Sequence, residues 1–543
     1  MTRQDDSKQP ISAAFSNMGR RDFLKFSLGT VSWTFLGSLA AGCSSGNGRS
    51  SALPRQPIDP NVTKTNERML SFDLPPQPDA PNSGTGLYKT ELPKVPLYNQ
   101  YGYGQYTYGG QLAIKPRFDI MADTQPDTPP NTQDSKTLRH FFAITDVHIT
   151  DKEAPNQLIY LQQMDPIYSA AMTSIYSPIM PYTTHVLDAA VQTLNVLHEK
   201  TPFDFGISLG DVCNSSQYNE LRWYIDVMDG QPIRPSSGDH LGASQVDYQI
   251  PYQAAGLNKT IPWYQVLGNH DHFCIGSFAI DDELRESYTS NQVWAVGNVL
   301  KPNSGTFPAN YNTRESLGTP TYYMGVLDGE SSYGKITHTA NYGDAPPATI
   351  AADPNRRPLH RTEWMQEFFN TDSEPRGHGF NHLDPTDLDN GFACYSFIPN
   401  QGVPLKVIVL DNTQSDTDGS QDIHGHGFLD EKRWNWLKTE LKAGQDNDQL
   451  MIIAAHIPIA VAAIGSAMEW WESDKDPNAT EQNAVTLAEL VATLQDAPNL
   501  LMWIAGHRHL NTVKAFVSPD PVNKPERGFW QVETASLRDF PQQ

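Results

Sequence analysis

Five short clusters space metal-binding residue types along this chain: Asp146-Val147-His148, Gly210-Asp211, Gly268-Asn269-His270-Asp271, a lone His456, and Gly506-His507-Arg508-His509. Each stands at the end of an apolar run. Carboxylates, imidazoles and one amide oxygen suit a pair of Mn, Fe or Zn ions better than a thiol-seeking metal. Two divalent ions ~3.5–4 Å apart acidify a shared water and clamp phosphoryl oxygens, so the chemistry to expect is hydrolysis of a phosphoester. No cluster is specific alone. Among 16 histidines a single one such as His456 ordinarily lies on the surface or in the core, and only the ordered set carries weight.

The elements that must position these residues show as a rhythm starting at Arg139. His140–Thr145 runs into Asp146, Phe203–Leu209 into Gly210, Ile261–Leu267 into Gly268, Leu405–Leu410 into Asp411, Leu450–Ala455 into His456 and Leu500–Ala505 into Gly506. Mostly continuous apolar runs of this length predict strands buried on both faces. Helical patterns lie between them: one capped by Thr183 or Thr184 with Val186, Leu187, Ala190, Leu194 and Leu197 on one face, then Phe428–Leu441 and Val485–Leu494. Alternation of this kind predicts an α/β fold, with ligands at the ends of parallel strands. The span 275–404 is too long and too rich in Gly, Pro, Asn and Tyr for a loop, and reads largely as an insertion within a domain covering 136–543. A further strand is expected near Phe529–Val532, and the chain reads as incomplete at its C-terminus.

The set of motifs resembles the calcineurin-like metallophosphoesterases over Arg139 to the end, the insertion apart. The resemblance implies a metallophosphatase-type α/β/β/α sandwich, two mixed sheets flanked by helices. It implies Asp146, His148 and His509 on a first metal, Asn269, His456 and His507 on a second, and Asp211 bridging both. A metal-bound hydroxide would attack phosphorus in line. His270, beside Asn269 but not a ligand, would give a proton or a hydrogen bond to the leaving oxygen, with Asp271 orienting it. Asn269 contributes a neutral oxygen, so two carboxylates leave two dications net positive toward phosphate, and a His kept off the metals keeps a titratable nitrogen. Purple acid phosphatases carry Tyr three residues after the bridging Asp. Asn214 stands there instead, so no Fe(III)–Tyr pair is expected.

A phosphodiester is placed ahead of a phosphomonoester or nucleotide, because the Asp-x-His and Gly-Asn-His-Asp forms are widespread in diesterases. The partner is then a phosphorylated small molecule or lipid. A catalytically inactive envelope binding protein is the alternative of another class, although each implied ligand position holds a competent residue. His272, His424 and His426 match nothing in the family, and His424-Gly425-His426-Gly427 reads as a turn. Arg356, Arg357, His360, Arg361, His378 and His382 are expected on the surface rather than at a substrate phosphate.

A formal charge of −23 removes any role as a nucleic-acid scaffold, since no basic surplus exists to neutralise a phosphate backbone. Residues 1–43 read as an address. Gly19-Arg20-Arg21-Asp22-Phe23-Leu24-Lys25 resembles a twin-arginine export signal, and Leu39-Ala40-Ala41-Gly42-Cys43 resembles a lipoprotein cleavage box with Ala40 where Leu is usual. The expected partner is the twin-arginine export machinery. The expected location is the periplasm or cell envelope, with membrane anchoring through a lipidated Cys43. Residues 44–135 then read as a Pro/Gly/Ser-rich tether and N-terminal extension, with Tyr98 to Tyr108 alternating with Gly as a hairpin. Of the remaining cysteines, Cys213 and Cys274 are either a disulfide pair or two inert thiols.

Overall fold

The computed structural model describes residues 52–64, 67–71, 107–111, 113, 117–120, 136–160, 179–296, 320, 322–331, 334–343, 349–400, 402–414, 425–461, 470 and 483–538. The export motif, Cys43, the tyrosines at 98–106 and His424 lie outside these residues. Among the described residues no helix is long and apolar enough to cross a membrane. The chain divides into two compact units, 1–51 with 57–115 and 52–56 with 116–543. In the first, Leu70–Ser71 pairs antiparallel with Thr107–Tyr108. The rest of the hairpin expected over Tyr98 to Tyr108 lies outside the described residues.

The second unit is a mixed α/β fold. Strands β1 (Phe141–Ile144), β2 (Phe205–Ser208) and β3 (Trp263–Gln265) form a parallel sheet. Between the first two runs α1 (Thr183–Lys200), and α2 (Tyr218–Asp229) follows β2. Three further helices, α3 (Asp282–Thr289), α4 (Arg361–Glu367) and α5 (Pro385–Asp389), precede the larger sheet. That sheet contains β4 (Tyr395–Phe397), β5 (Leu405–Leu410), β6 (Leu450–Ala455), β7 (Leu500–Ala505), β8 (Thr512–Phe516) and β9 (Phe529–Glu533). Its order is β4-β5-β6-β7-β9-β8, parallel from β5 through β6 and β7 to β9, with β4 and β8 antiparallel at the two edges. Helices α6 (Glu431–Asp446) and α7 (Leu487–Gln495) precede β6 and β7.

All six residues of β5 are buried, which is why its run is apolar but for Lys406, whose ammonium pairs with Glu440 at 2.7 Å. Alternate side chains go to opposite faces of a strand. Val407, Val409, Ile452 and Ala454 share one core with Phe205, Ile207, Trp263 and Leu187 of the smaller sheet and α1. Ile408, Leu410, Ile453 and Trp503 share the other with Leu437, Leu441, Leu490 and Leu494 of α6 and α7. Each fully buried aliphatic side chain is worth roughly 1.5–3 kcal/mol relative to exposure. Parallel pairing brings the C-terminal ends of β1, β2 and β3, and those of β5, β6, β7 and β9, to one edge of their sheet.

Part of the 275–404 span enters the first core directly, through Trp364, Phe368, Phe380 and Tyr395. Three of its residues expected at the surface turn inward instead. His378 is buried and stacks on Trp263 with ring centroids 3.4 Å apart. Arg356 is 1% exposed, bonded to Asp151 at 3.2 Å and to the Ala351 carbonyl at 2.7 Å. Arg361 reaches Asp411 at 2.6 Å. A guanidinium can enter a core only with its donors satisfied, and single residues carry no mark of that in the sequence. The α1 start also differs: Tyr182 is its N-cap, and Thr183 Oγ1 accepts from Thr150 N at 3.2 Å instead of capping. At α6 the cap is Asp430, two residues beyond the expected start at Phe428. Cys213, Cys274 and Cys394 are free and buried, so the disulfide alternative falls away.

Asp411, at the end of β5, is buried between Arg361 and Arg433, with Arg433 Nη1 3.2 Å from Oδ2. Burial alone would raise its carboxyl, but the two guanidinium groups hold it down to about 2, from an ordinary 3.8. A depressed acid stabilises the fold fully above its unfolded value and loses that contribution as pH falls through the folded one, here between about pH 4 and 2. Replacing Asp411 with Asn should therefore cost about 3–5 kcal/mol at pH 7, by stranding buried guanidinium charge. Urea unfolding should show the gap between wild type and Asp411→Asn closing below pH 4; a pH-independent gap would contradict the assignment.

Candidate metal centre

Each cluster singled out in the sequence begins where a strand ends. Asp146 and His148 follow β1, and Asp211 follows β2. Their backbones continue the parallel ladder, with Asp146 N donating to Gly210 O and His148 N to Asp211 O, both at 3.0 Å. Asn269 and His270 follow β3, His456 follows β6, and His507 and His509 follow β7. Asp146 (φ 51°), His148 (φ 44°), Asp211 (φ 55°), His507 (φ 69°) and His509 (φ 58°) all have left-handed backbones. Each such residue costs of order 1 kcal/mol or more and persists only where its surroundings over-determine it.

Hydrogen bonds supply those surroundings. Asp146 accepts from Thr145 Oγ1 at 2.6 Å and from His507 N at 3.0 Å. Ser536 Oγ, beyond β9, ties down the Asp146 carbonyl at 2.8 Å. Asp271 was expected to orient His270. Its buried carboxylate instead accepts from the backbone N–H groups of Gly268, Asp211 and Val212, each at 2.9 Å, and of Cys213 at 3.1 Å. It holds the Asp211 loop against the Asn269 loop. Burial and the nearby Asp211 push its carboxyl up to about 8. The group that fixes His270 is the Asn214 carbonyl, 2.7 Å from Nδ1. Two glycines explain part of the motif: a Cβ on Gly268 would sit 2.2 Å from Asp211 Oδ1, and one on Gly506 2.5 Å from Asp146 Oδ2.

All seven ligand-type residues converge. Ligand atoms of Asp146, His148 and His509 lie within 4.8 Å of one another, as do those of Asp211, His456 and His507, and those of His148, Asp211 and His270. Asp211 thus groups with His456 and His507 on one side and with His148 and His270 on the other. Asn269 Oδ1 joins the second side, 3.0 Å from His456 Nε2 and 3.2 Å from His507 Nδ1. His148 Nε2 is 3.2 Å from His509 Nε2, and its Nδ1 is buried without a hydrogen-bond partner.

The donor set fits two cations. His456 uses Nδ1 on the Leu209 carbonyl at 2.8 Å, so Nε2 faces Asp211 Oδ2 at 3.2 Å and the Asn269 oxygen. Lone pairs that converge this way repel unless positive charge lies between them. Burial opposes a charged His456, yet Asp211 and Asp146 raise it to about 9. Burial likewise lowers His507 to about 3, with His456 adding to the effect, and holds His148 well below its ordinary range. A field that protonates one deeply buried imidazole while keeping its neighbours neutral is one that seeks compact positive charge. The centre is recessed: Asp146, His148 and His456 are fully buried, while His507 and His509 are only partly so.

Several supporting residues carry no motif. Asn412 clamps the His456 loop, donating to Ile457 O at 2.7 Å and accepting from Ile457 N at 3.1 Å. His272 bonds Thr413 Oγ1 at 2.9 Å, linking the Asn269 loop to the Asp411 network. Gly425 lies against Asn269, where its Cβ would stand 2.8 Å from Nδ2, so the turn ahead of α6 borders the centre. Asn412 was reachable as another polar residue at a strand end; the others were not.

No known family model matches the chain, and no curated protein does. Among solved structures, a dimetal phosphatase from Danio rerio aligns over 75% of this chain and 90% of that one, at 10% identity and a TM-score of 0.34.

Gly276 (φ +68°) roofs this pair of loops: its Cβ would fall 2.4 Å from His270 Nε2 and 2.5 Å from Asn269 Nδ2. Gly276→Ala should displace both side chains and lower metal affinity at least tenfold by calorimetric titration. Unchanged affinity and turnover would show that this approach is not tight.

Proposed function

We propose that this protein is a two-metal phosphoesterase of the calcineurin-like type, with the α/β/β/α sandwich of that class, acting on phosphodiesters ahead of monoesters. The observation that carries the reading is the sharing of Asp211 between two sets of ligand atoms. Asp146, His148 and His509 would hold one ion, and Asn269, His456 and His507 the other. Bound there, the pair would supply charge neutralisation on phosphoryl oxygens and a water acidified for attack.

The chain's own contribution is positioning. His270 sits edge-on to His148 with ring centroids 4.6 Å apart, and donates its backbone N–H to Asp211 Oδ1 at 2.8 Å. With Nδ1 committed to Asn214, Nε2 is the atom able to serve the ester. As the water oxygen bonds to phosphorus, the bond to the leaving oxygen breaks and its electron pair stays on that oxygen. His270, entering the step as the imidazolium with Nδ1–H on the Asn214 carbonyl, gives it the Nε2 proton and is left neutral, and the attacking water's proton passes to solvent. General acid help of this kind is worth ~10²–10⁴-fold.

His270→Ala should keep its metal content by elemental analysis while slowing hydrolysis of bis-(p-nitrophenyl) phosphate about 100-fold or more. Asp211→Ala should lose metal, and chelation should silence the wild type. Equal behaviour of the two variants would defeat the assignment, and faster turnover of the mono ester would reverse the substrate order. The reading also has the enzyme exported and lipid-anchored at Cys43, supported by the Arg20-Arg21 motif and the residues before Cys43. Replacing Arg20 and Arg21 with Lys should leave the protein in the cytoplasmic fraction; normal export of that variant would remove this part of the reading.

A further inference from the structure

Glu220 has no place in the ligand set, yet it is fully buried. It lies in the first turn of α2, and no described Lys, Arg or His pairs with it. Its oxygens take two donors each. Oε1 accepts from Asp151 N and from Gln217 Nε2, both at 2.9 Å; Oε2 accepts from Asn214 N at 3.1 Å and Ser215 N at 2.8 Å. A glutamate in the first turn ordinarily reaches back to its own N-cap. This one holds the side chain of its N-cap Gln217 and reaches on into the loop that follows Asp211, and across to the loop that follows His148.

The Ser215 N–H and the Asn214 C=O are the two ends of one peptide group. Glu220 holds the first at 2.8 Å, and His270 Nδ1 holds the second at 2.7 Å. A carboxylate at the N–H end of a peptide polarises it and strengthens its carbonyl as an acceptor. The peptide cannot rotate, because the adjoining Asn214 N–H is itself held by Glu220 and by Ile149 O at 3.0 Å. We infer that Glu220 is a positioning residue that acts through the Asn214–Ser215 peptide to keep the His270 Nδ1–H on that carbonyl, so that the imidazolium gives its Nε2 proton to the leaving group and is left as the Nδ1–H tautomer. Burial pushes the Glu220 carboxyl up to about 8 against the pull of its donors. The cradle is built for the anion, since a proton on either oxygen would point into N–H groups.

The inference rests on the phosphoesterase reading, and its test separates the two. Metal-loaded wild type and Glu220→Gln are compared across pH 6 to 9 on diesters with a good leaving group (p-nitrophenyl) and a poor one (phenyl). A positioned acid matters most for the poor leaving group. Glu220→Gln should therefore lose about tenfold or more on the phenyl ester and several-fold less on the p-nitrophenyl ester, with metal content retained. In a His270→Ala background the same change should add no further leaving-group dependence. Equal losses on both esters, no loss on either, or loss of metal would overturn the role of Glu220. Failure of the wild type to hydrolyse any phosphoester would instead defeat the parent reading. Should Glu220→Gln not fold, ¹⁵N NMR of His270 in the wild type decides: the Nδ1–H tautomer supports the inference, and the Nε2–H tautomer overturns it.

Discussion

Asp211 sits with its carboxylate 1% exposed, within reach of imidazoles on two sides, and everything around it exists to keep it there. An isolated carboxylate in such a place would cost many kcal/mol. Burial raises the Asp211 carboxyl, but His456 and then His270 and His148 outweigh that and hold it well below the usual carboxylate range. The electrostatics close only with positive charge in the middle.

That constraint propagates outward in layers. The innermost is strained backbone, the left-handed residues that aim Asp146, His148, Asp211, His507 and His509. Around it lie buried acceptors that freeze the loops: Asp271 across four N–H groups, Asn412 on the His456 loop, and Glu220 on the loop after Asp211. Outside these stands the Asp411–Arg361–Arg433 cluster at the end of β5. The buried acids of the middle layer are held by neutral hydrogen-bond donors, and Asp411 in the outer one by guanidinium groups. Such a scaffold needs no reorganisation when charge develops on a substrate.

The strand pattern was legible because burial on both faces forces a continuous apolar run. Leu405–Leu410, Leu450–Ala455 and Leu500–Ala505 are strands at the limits their composition indicated. The edge strands Tyr395–Phe397 and Thr512–Phe516 were missed: the first is only three residues long, and the second, paired on one side, tolerates a polar Lys514 and an exposed Val513. Helix starts shifted by a few residues for a related reason: Thr183 serves Thr150 rather than its own helix.

By itself the sequence determined which chemistries are possible: residue types at strand ends, a donor set of imidazole, carboxylate and amide, and glycines where carboxylates approach closely. These are local properties, set by side-chain chemistry and by the space a Cβ would fill. Tertiary structure alone decided the partners. That Asp271 holds backbone rather than His270, that a peptide carbonyl holds His270, and that Glu220 holds that peptide depend on groups meeting across loops distant in the chain. A hydrogen bond to main chain leaves no mark on the residue that supplies the N–H or C=O, so no reading of residue types reveals it.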